Sequence, residues 1–147
     1  MKLRVLLLED DYLQRGAISN ALEAKLQAEV QAKSTESEFR RDFDQIAANP
    51  PQVAVLDVMV RWANPTRDVE SEPIEIPKTP EIAGLRCAQL LRDDPRTQKV
   101  KIILYSVLGP EDIGAKFPDG VTSVVKETYF RDLLEAVSNA IATPPIK

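Results

Sequence analysis

The sequence contains no histidine and only one cysteine, Cys87, among its 147 residues. Disulfide bonds within the chain, zinc-finger ligation and histidine-based acid–base catalysis are therefore excluded. Any chemistry must use carboxylates, hydroxyls or amines. Cys87 lies within an apolar helical pattern, and we expect it to be a small core residue because a cysteine nucleophile would have no histidine partner here.

The chain also lacks a dense basic run and any long apolar stretch. Its net charge of -4 does not provide the electrostatic signature of a dedicated nucleic-acid binder. The longest apolar runs have the length of strands and fall far short of the ~20 residues that a membrane span requires. The N-terminus has no signal-peptide pattern. We therefore expect a cytoplasmic protein that contacts neither nucleic acid nor membrane directly.

Length and periodicity predict one α/β domain over residues 1–147. Short apolar segments predict five strands, at residues 3–8, 28–32, 53–56, 100–105 and 121–125. Helical patterns alternate with them, with apolar stripes that include Leu13 and Ile18, Phe39 and Ile46, Leu85 and Leu91, and Leu133 and Val137. Residues 35–49 are expected to form a single helix, and residues 110–116 a short one. The alternation predicts a doubly wound parallel sheet of the flavodoxin-like order 2-1-3-4-5.

One segment, residues 61–79, has no clear period and contains three prolines. A loop of this length is unusual inside a compact domain and is either functional or mobile. Two interpretations stay open. The segment is a solvated mobile loop, or it is a lid or partner contact with Trp62 as an anchor.

Polar residues follow the predicted strands where each strand ends. Glu9 and Asp10 follow the first strand, Asp57 the third, Ser106 the fourth and Lys126 the fifth. Ligands of open parallel sheets bind outside the carboxyl ends of the strands. Because the first and third strands are neighbours in the predicted order, we expect their three carboxylates to share one crevice.

Such a crevice favours a divalent cation and phosphoryl chemistry. Carboxylates that lie close together repel one another, and a hard ion such as Mg²⁺ neutralises them through oxygen ligands. A carboxylate can also attack phosphorus and form an acyl phosphate. The transferred group then needs a fixed cation and a hydrogen-bond donor, which Lys126 and Ser106 would supply.

Each of these residues has a simpler interpretation when it is taken alone. Glu9 and Asp10 could be an acidic helix entry, and Asp57 could cap the segment that follows it. Ser106 could form a turn, and Lys126 could be a solvated surface lysine. The prediction of a site therefore depends on their joint placement.

With these motifs the sequence resembles the receiver domain of two-component response regulators, including the chemotaxis receivers. The resemblance extends from the first residue to about residue 142, and four matching segments occur in the order of the family, at residues 5–11, 55–59, 102–106 and 124–126. Asp11 would start the first helix and point away from the site.

The resemblance implies a role for each residue of the predicted site. Glu9 and Asp10 would be the acidic metal-binding pair, and Asp57 both a metal ligand and the phosphoryl acceptor. The carbonyl of Met59 would be a further ligand of Mg²⁺ or Mn²⁺. In the same comparison the Ser106 hydroxyl would move toward the phosphoryl group, and Lys126 would pair with it.

The implied function is a stand-alone phospho-acceptor switch in a phosphorelay. A histidine kinase or phosphotransfer protein would supply the phosphoryl group, and a downstream protein would read the modified state. The chain would not be an enzyme beyond self-phosphorylation and slow autodephosphorylation. We expect no output domain after the last helix.

Several departures from the family, among them a long insertion after the third strand at residues 61–79, favour an alternative, a pseudo-receiver that binds partners without phosphorylation. Ser123 occupies the place of a common aromatic switch, and Tyr105 is either its substitute or a packing residue. Glu127 follows the lysine in place of a proline, so we expect a trans bond there.

An aspartyl-phosphate phosphatase is disfavoured because Met59 stands where its second aspartate would be. Flavin binding is disfavoured because the turn after the first strand is acidic.

Overall fold

The computed structural model describes residues 2–63, 82–109, 111 and 117–142. Most of the predicted insertion at residues 61–79 and of the predicted short helix at residues 110–116 lies outside these residues. Within the described ranges no helix is long and apolar enough to cross a membrane. The elements in chain order are β1 (Arg4–Leu8), α1 (Tyr12–Leu26), β2 (Glu29–Lys33), α2 (Glu36–Arg41), α3 (Phe43–Ala48), β3 (Val53–Leu56), α4 (Ala83–Asp93), β4 (Lys101–Ser106), β5 (Val121–Val125) and α5 (Arg131–Ala142).

The five strands form one parallel sheet in the order β2-β1-β3-β4-β5, which confirms the predicted topology. The central strands β1, β3 and β4 are almost entirely buried, as their continuous apolar runs predict. The outer strands β2 and β5 are more polar and partly exposed. Leu8 is in register with Leu56, and Leu56 with Leu104, so these three strands end side by side.

The sheet separates two hydrophobic cores because alternate side chains of a strand point to opposite faces. On one face α2, α3 and α4 cover a cluster that includes Leu6, Phe39, Ile46, Leu56, Leu91 and Leu104. On the other face α1 and α5 cover a cluster that includes Leu7, Ile18, Leu22, Val55, Tyr105, Leu133 and Val137. Both faces are therefore packed, and the open positions of the fold are at the two ends of the sheet.

Helix α1 begins at the carboxyl edge of β1. The Asp11 side chain caps it by accepting a hydrogen bond from the Gln14 amide at 3.0 Å. Ile18 and Leu22 are buried as predicted, but the expectation that Leu13 belongs to the same face is wrong, since Leu13 is 78% exposed. Leu13 lies five residues before Ile18, which places it roughly 140° away around the helix.

The prediction of a single helix over residues 35–49 is wrong in one detail. The structure has two short helices, α2 and α3, which meet at Asp42 with φ −96° and ψ 10°. Helical hydrogen bonds nevertheless continue through the junction, from the Asp42 amide to the Glu38 carbonyl and from the Ile46 amide to the Asp42 carbonyl. The Asp42 carboxylate accepts a hydrogen bond from Lys33 at 2.7 Å, which lowers the pKa of Asp42 and ties the junction to β2.

Helix α4 packs directly on the backbone that follows β3. The Gly84 amide donates to the Val58 carbonyl at 2.8 Å. A Cβ atom at Gly84 would overlap the Asp57 carbonyl oxygen and lie 2.7 Å from the Cα of Val58. Only glycine permits this approach. Cys87 on the same helix is fully buried, as predicted, and burial raises the pKa of its thiol.

The C-terminal turn of α4 is joined to two other segments through Arg92. Its guanidinium donates hydrogen bonds to four backbone carbonyls, those of Gln98, Val100, Asp119 and Gly120, over distances from 2.7 to 3.3 Å. Two of these carbonyls precede β4 and two precede β5. One side chain therefore connects the entries of neighbouring strands.

Candidate functional site

The three predicted carboxylates converge at the carboxyl edge of β1 and β3. One carboxylate oxygen from each of Glu9, Asp10 and Asp57 lies within 4.8 Å of the others. The Asp57 amide donates to the Leu8 carbonyl at 2.9 Å, which continues the pairing of the two strands into the site. Glu9 is 1% exposed and Asp57 8% exposed, so two of the three acids are largely withdrawn from water.

Lys126 brings an ammonium group into this cluster. Its Nζ donates to Glu9 Oε1 at 2.6 Å and to Asp57 Oδ2 at 3.1 Å. The Lys126 amide donates to the Ser106 carbonyl at 2.8 Å, so β4 supports the start of the loop that carries the lysine. One lysine thus bridges two acids from different strands.

The electrostatics of the cluster show an excess of negative charge. Burial, followed by the charge of Asp57, raises the pKa of Glu9 from 4.5 to about 7, although Lys126 opposes the shift. Burial alone would lower the pKa of Lys126, but the hydrogen bond to Glu9 and the charge of Asp57 outweigh it and raise that pKa. Asp57 contributes to both shifts, because its negative charge disfavours ionisation of Glu9 and favours the protonated form of Lys126.

The residues present are suited to a hard divalent cation. All the side-chain ligands are carboxylate oxygens, which Mg²⁺ and Mn²⁺ prefer, and their uncompensated charge favours a bound cation. An open cavity of about 580 Å³ adjoins them and leaves room for water and phosphate oxygens. Its lining includes Glu9, Asp10, Asp57, Met59, Lys126 and Glu127.

Met59 and Ser106 are placed less closely than the acids and the lysine. The Met59 amide donates to Asp57 Oδ1 at 3.3 Å and the residue lines the cavity, while the ligand role of its carbonyl stays a prediction. Ser106 is 2% exposed, and its Oγ accepts a hydrogen bond from the Leu108 amide at 3.2 Å. It is not among the residues that line the cavity, so its predicted role in phosphoryl transfer also stays a prediction.

Arg61 is part of the site, although the sequence pattern did not indicate it. Its amide and its Nε both lie near Asp10 Oδ2, at 3.1 and 3.4 Å. The one signal for Arg61 is its position four residues after Asp57, and this signal is too weak to assign a contact.

Asp11 caps α1 as predicted, but its amide also donates to Glu9 Oε2 at 3.1 Å.

Tyr105 supports the loop that carries Lys126. Its buried hydroxyl donates to the Glu127 carbonyl and accepts from the Glu127 amide, both at 3.3 Å. The Lys126 ammonium lies 5.9 Å from the centre of the tyrosine ring, and the ring of Phe130 meets it edge-on at 6.4 Å. Tyr105 is therefore more than a packing residue. The Lys126–Glu127 peptide bond is trans, as expected.

No protein-family model and no curated protein matches the sequence. Many solved structures match the fold across nearly the whole chain. They include response regulator TrrA from Thermotoga maritima in complex with Mg²⁺-BeF, which is 22% identical with a TM-score of 0.65 and covers 95% of this chain and 99% of its own. The non-phosphorylated HemR receiver domain from Leptospira biflexa is 17% identical, with a TM-score of 0.67 and coverage of 99% of both chains.

A third similar structure is the chemotaxis response regulator CheY4 of Vibrio cholerae, at 17% identity and a TM-score of 0.65 over 95% of this chain and 99% of its own. These similarities agree with the strand order and the two covered faces of the sheet. The chain has the fold of the response regulator receiver domains.

Proposed function

We propose that the chain is a phospho-acceptor switch of a two-component phosphorelay, in which Asp57 receives the phosphoryl group. The observation that carries the proposal is the clustering of three carboxylates within 4.8 Å around one lysine, at the edge of the sheet where ligands bind. Glu9, Asp10, Asp57 and the Met59 carbonyl would hold Mg²⁺ or Mn²⁺.

The reaction needs little covalent chemistry from the protein beyond the acceptor itself. An Asp57 oxygen forms a bond to phosphorus while the bond between phosphorus and the donor's leaving group breaks, and the leaving group departs with the electron pair. When bound, the divalent cation would neutralise negative charge on the phosphoryl oxygens. Lys126 would pair with one of those oxygens, since its Nζ already lies 3.1 Å from Asp57 Oδ2. Ser106 would donate a hydrogen bond to another.

The proposed donor is a histidine kinase or phosphotransfer protein, and the proposed reader is a downstream protein partner in the cytoplasm. The receiver fold supports this assignment, because the similar solved proteins are described as response regulators. Water would release the phosphoryl group slowly. The chain would then be a signalling component, with no catalytic turnover other than its own phosphorylation and dephosphorylation.

The test is incubation with Mg²⁺ and a small phosphodonor, followed by measurement of the intact mass. We expect wild type to gain one phosphoryl group and Asp57→Asn to gain none. Asp44→Asn is a matched control, because Asp44 is an exposed acid on α3 outside the cluster, and this variant should be phosphorylated like wild type. Omission of the metal should abolish the gain in all proteins.

A pseudo-receiver is the second candidate, and one arrangement favours it. The two cations Arg61 and Lys126 already contact the acidic cluster, and Ser123 replaces the usual aromatic switch. A wild-type protein that stays folded and binds Mg²⁺ but gains no mass would support constitutive partner binding. A second assay separates the two candidates further: fluoroberyllate, which accompanies Mg²⁺ in the TrrA structure, should bind a phospho-acceptor site and not a pseudo-receiver.

A further inference from the structure

The contact between Arg61 and Asp10 places a fixed positive charge where the divalent cation would bind. We propose that Arg61 is a resident counter-ion that competes with the cation for Asp10 and links occupancy of the site to the first turn of α2. The inference rests on the proposed metal site and concerns a residue outside the predicted ligand set.

The geometry of Arg61 directs two donors to one oxygen. The backbone amide lies 3.1 Å and the side-chain Nε 3.4 Å from Asp10 Oδ2. The side chain of Asp10 is 20% exposed and that of Arg61 is 59% exposed. The guanidinium is therefore held on one side by Asp10 and is open to water on the other, so it can leave without disturbing a packed core.

A divalent cation and the Arg61 donors compete for the same carboxylate. A cation bound at Oδ2 would take lone pairs that now accept from Arg61, and two positive charges this close repel each other. Binding of the cation would therefore weaken the contact with Arg61. Because the Arg61 side chain is 59% exposed, the contribution of the pair is modest, and we expect the competition to weaken metal binding several-fold and not by orders of magnitude.

The same short segment is bonded to the start of α2. The Glu36 amide donates to the Arg61 carbonyl at 2.9 Å, and the Ser37 amide donates to the Trp62 carbonyl at 2.8 Å. These two amides belong to the first turn of α2 and have no helical partner of their own. A displacement of the Arg61 backbone, whose amide also contacts Asp10, therefore acts on the bonds that complete this turn.

The first turn of α2 is in turn fixed to α4. Glu36 is fully buried and accepts hydrogen bonds from the side chains of Arg40 and Arg86, with the shortest contact, to Arg86, at 2.6 Å. Gly84, two residues before Arg86, packs on the backbone of Asp57 and Val58. A closed circuit of contacts thus runs from the acidic cluster through Arg61 to α2 and α4, and back to the acceptor.

The first experiment measures Mg²⁺ affinity by calorimetry in wild type, Arg61→Gln, Arg61→Lys and Arg15→Gln. Removal of the charge in Arg61→Gln should tighten binding about three- to fivefold, and Arg61→Lys should stay within about twofold of wild type. Arg15→Gln is the matched control. It removes one charge at the same edge, but Arg15 donates to the Glu9 carbonyl and not to a carboxylate.

The difference between wild type and Arg61→Gln should shrink as the ionic strength rises from about 0.05 M to about 0.5 M, because salt screens an exposed pair. A purely structural role of Arg61 would not give this dependence. Equal Mg²⁺ affinities in wild type and Arg61→Gln overturn the inference. It is also overturned if Arg15→Gln gains as much Mg²⁺ affinity as Arg61→Gln does.

The second experiment follows the coupling to α2. Trp62 is the only tryptophan, so its fluorescence reports on this segment, and amide NMR shifts or hydrogen exchange report on Glu36 and Ser37. Saturating Mg²⁺ should alter all three signals in wild type, and should leave the Thr122 amide of β5 unchanged. Metal binding without a change at Glu36 and Ser37 overturns the link.

The two proposals fail in different ways. If wild type binds Mg²⁺ and Arg61→Gln binds it more tightly, but Asp57 gains no phosphoryl group, the proposed function fails and the counter-ion role of Arg61 stands. If Asp57 is phosphorylated while Arg61→Gln binds Mg²⁺ as wild type does, the counter-ion fails and the proposed function stands.

Discussion

On the β1–β3 side of the cavity the acids follow buried strands, whereas on the β4–β5 side Lys126 follows a partly exposed edge strand and another side chain holds its loop. Asp57 continues the strand pairing through its amide, and Glu9 follows a strand that is almost completely buried. Lys126 follows an edge strand. Its amide also bonds to the neighbouring strand, but the loop beyond it is held by the hydroxyl of Tyr105. The first side is therefore expected to be rigid, and the second to adjust when its few contacts change.

The largest effect is expected from the ionisation of Glu9, the buried acid on the β1–β3 side of the cavity. The pKa of Glu9 is raised from 4.5 to about 7, so the Glu9 contribution to the free energy of unfolding is fully present below about pH 4.5 and is lost as the pH rises through about 7. Without metal, Glu9→Gln should therefore gain stability relative to wild type over this interval, by roughly 3 kcal/mol at about 1.4 kcal/mol per pH unit.

Denaturant unfolding in the presence of a chelator, at several pH values, measures this difference. Added Mg²⁺ should remove most of the wild-type loss at pH 7.5, because a ligand of the native state stabilises it. If the stabilities of the two proteins differ by the same amount at every pH from 4.5 to 7.5, the pKa of Glu9 is not raised in the folded protein.

A smaller effect is expected from the glycine that brings α4 onto the backbone that follows β3. Gly84→Ala would press a Cβ atom into the backbone at Asp57 and Val58, and overpacking of this kind costs about 2 kcal/mol. The matched control is Gly16→Ala in α1, where nothing lies within 4 Å of the added atom. That change should stabilise the protein by about 0.5–1 kcal/mol, since alanine is the better helix former.

Chemical denaturation of the two alanine variants checks these opposite signs. A Gly84→Ala variant as stable as wild type would mean that α4 can move away from Asp57 and Val58 at no cost. The rigid side would then be as adjustable as the other, and the contrast between the two sides of the cavity would be lost.

The smallest stability change is expected on the adjustable side. Tyr105→Phe removes only the hydroxyl that joins β4 to the backbone of Glu127, and should cost about 1 kcal/mol. Tyr129→Phe removes a hydroxyl from a side chain that is 86% exposed, and should change stability by less than about 0.5 kcal/mol.

The Tyr105 variant should also change the site more than its stability suggests. Because the ring and hydroxyl hold the loop of Lys126, we expect slower phosphorylation of Asp57 at saturating Mg²⁺ with little change in metal affinity. Equal rates for Tyr105→Phe, Tyr129→Phe and wild type would show that Lys126 is positioned without the tyrosine.

The rigid side is also the part of the molecule that sequence patterns describe best. Continuous apolar runs predicted three buried strands, and the three carboxylates that follow β1 and β3 lie together because parallel strands share one carboxyl edge. The junction at Asp42 and the exposure of Leu13 were missed. In both cases the apolar periodicity predicted the helix correctly. The break in a helix and the exposure of one residue depend on contacts with other elements, such as the bond from Lys33 to Asp42.

The contacts of Arg61 and Tyr105 were harder to predict for a physical reason. Neither residue follows a pattern that requires its partner, since Arg61 reaches Asp10 across 51 positions of sequence and Tyr105 reaches Glu127 across 22. Such contacts are consequences of the finished fold. A pattern of polar residues at strand ends can indicate which groups meet, but not which neighbours then hold or compete with them.

The four carbonyls gathered by Arg92 have a consequence for the way the domain opens. Because one guanidinium joins the entries of β4 and β5 to the end of α4, none of these three elements can detach without breaking hydrogen bonds that belong to the others. We expect them to unfold as one cooperative unit, with similar hydrogen-exchange protection in β4 and β5 despite the greater exposure of β5. The loop that adjusts around Lys126 therefore starts from a strand that is secured at its other end.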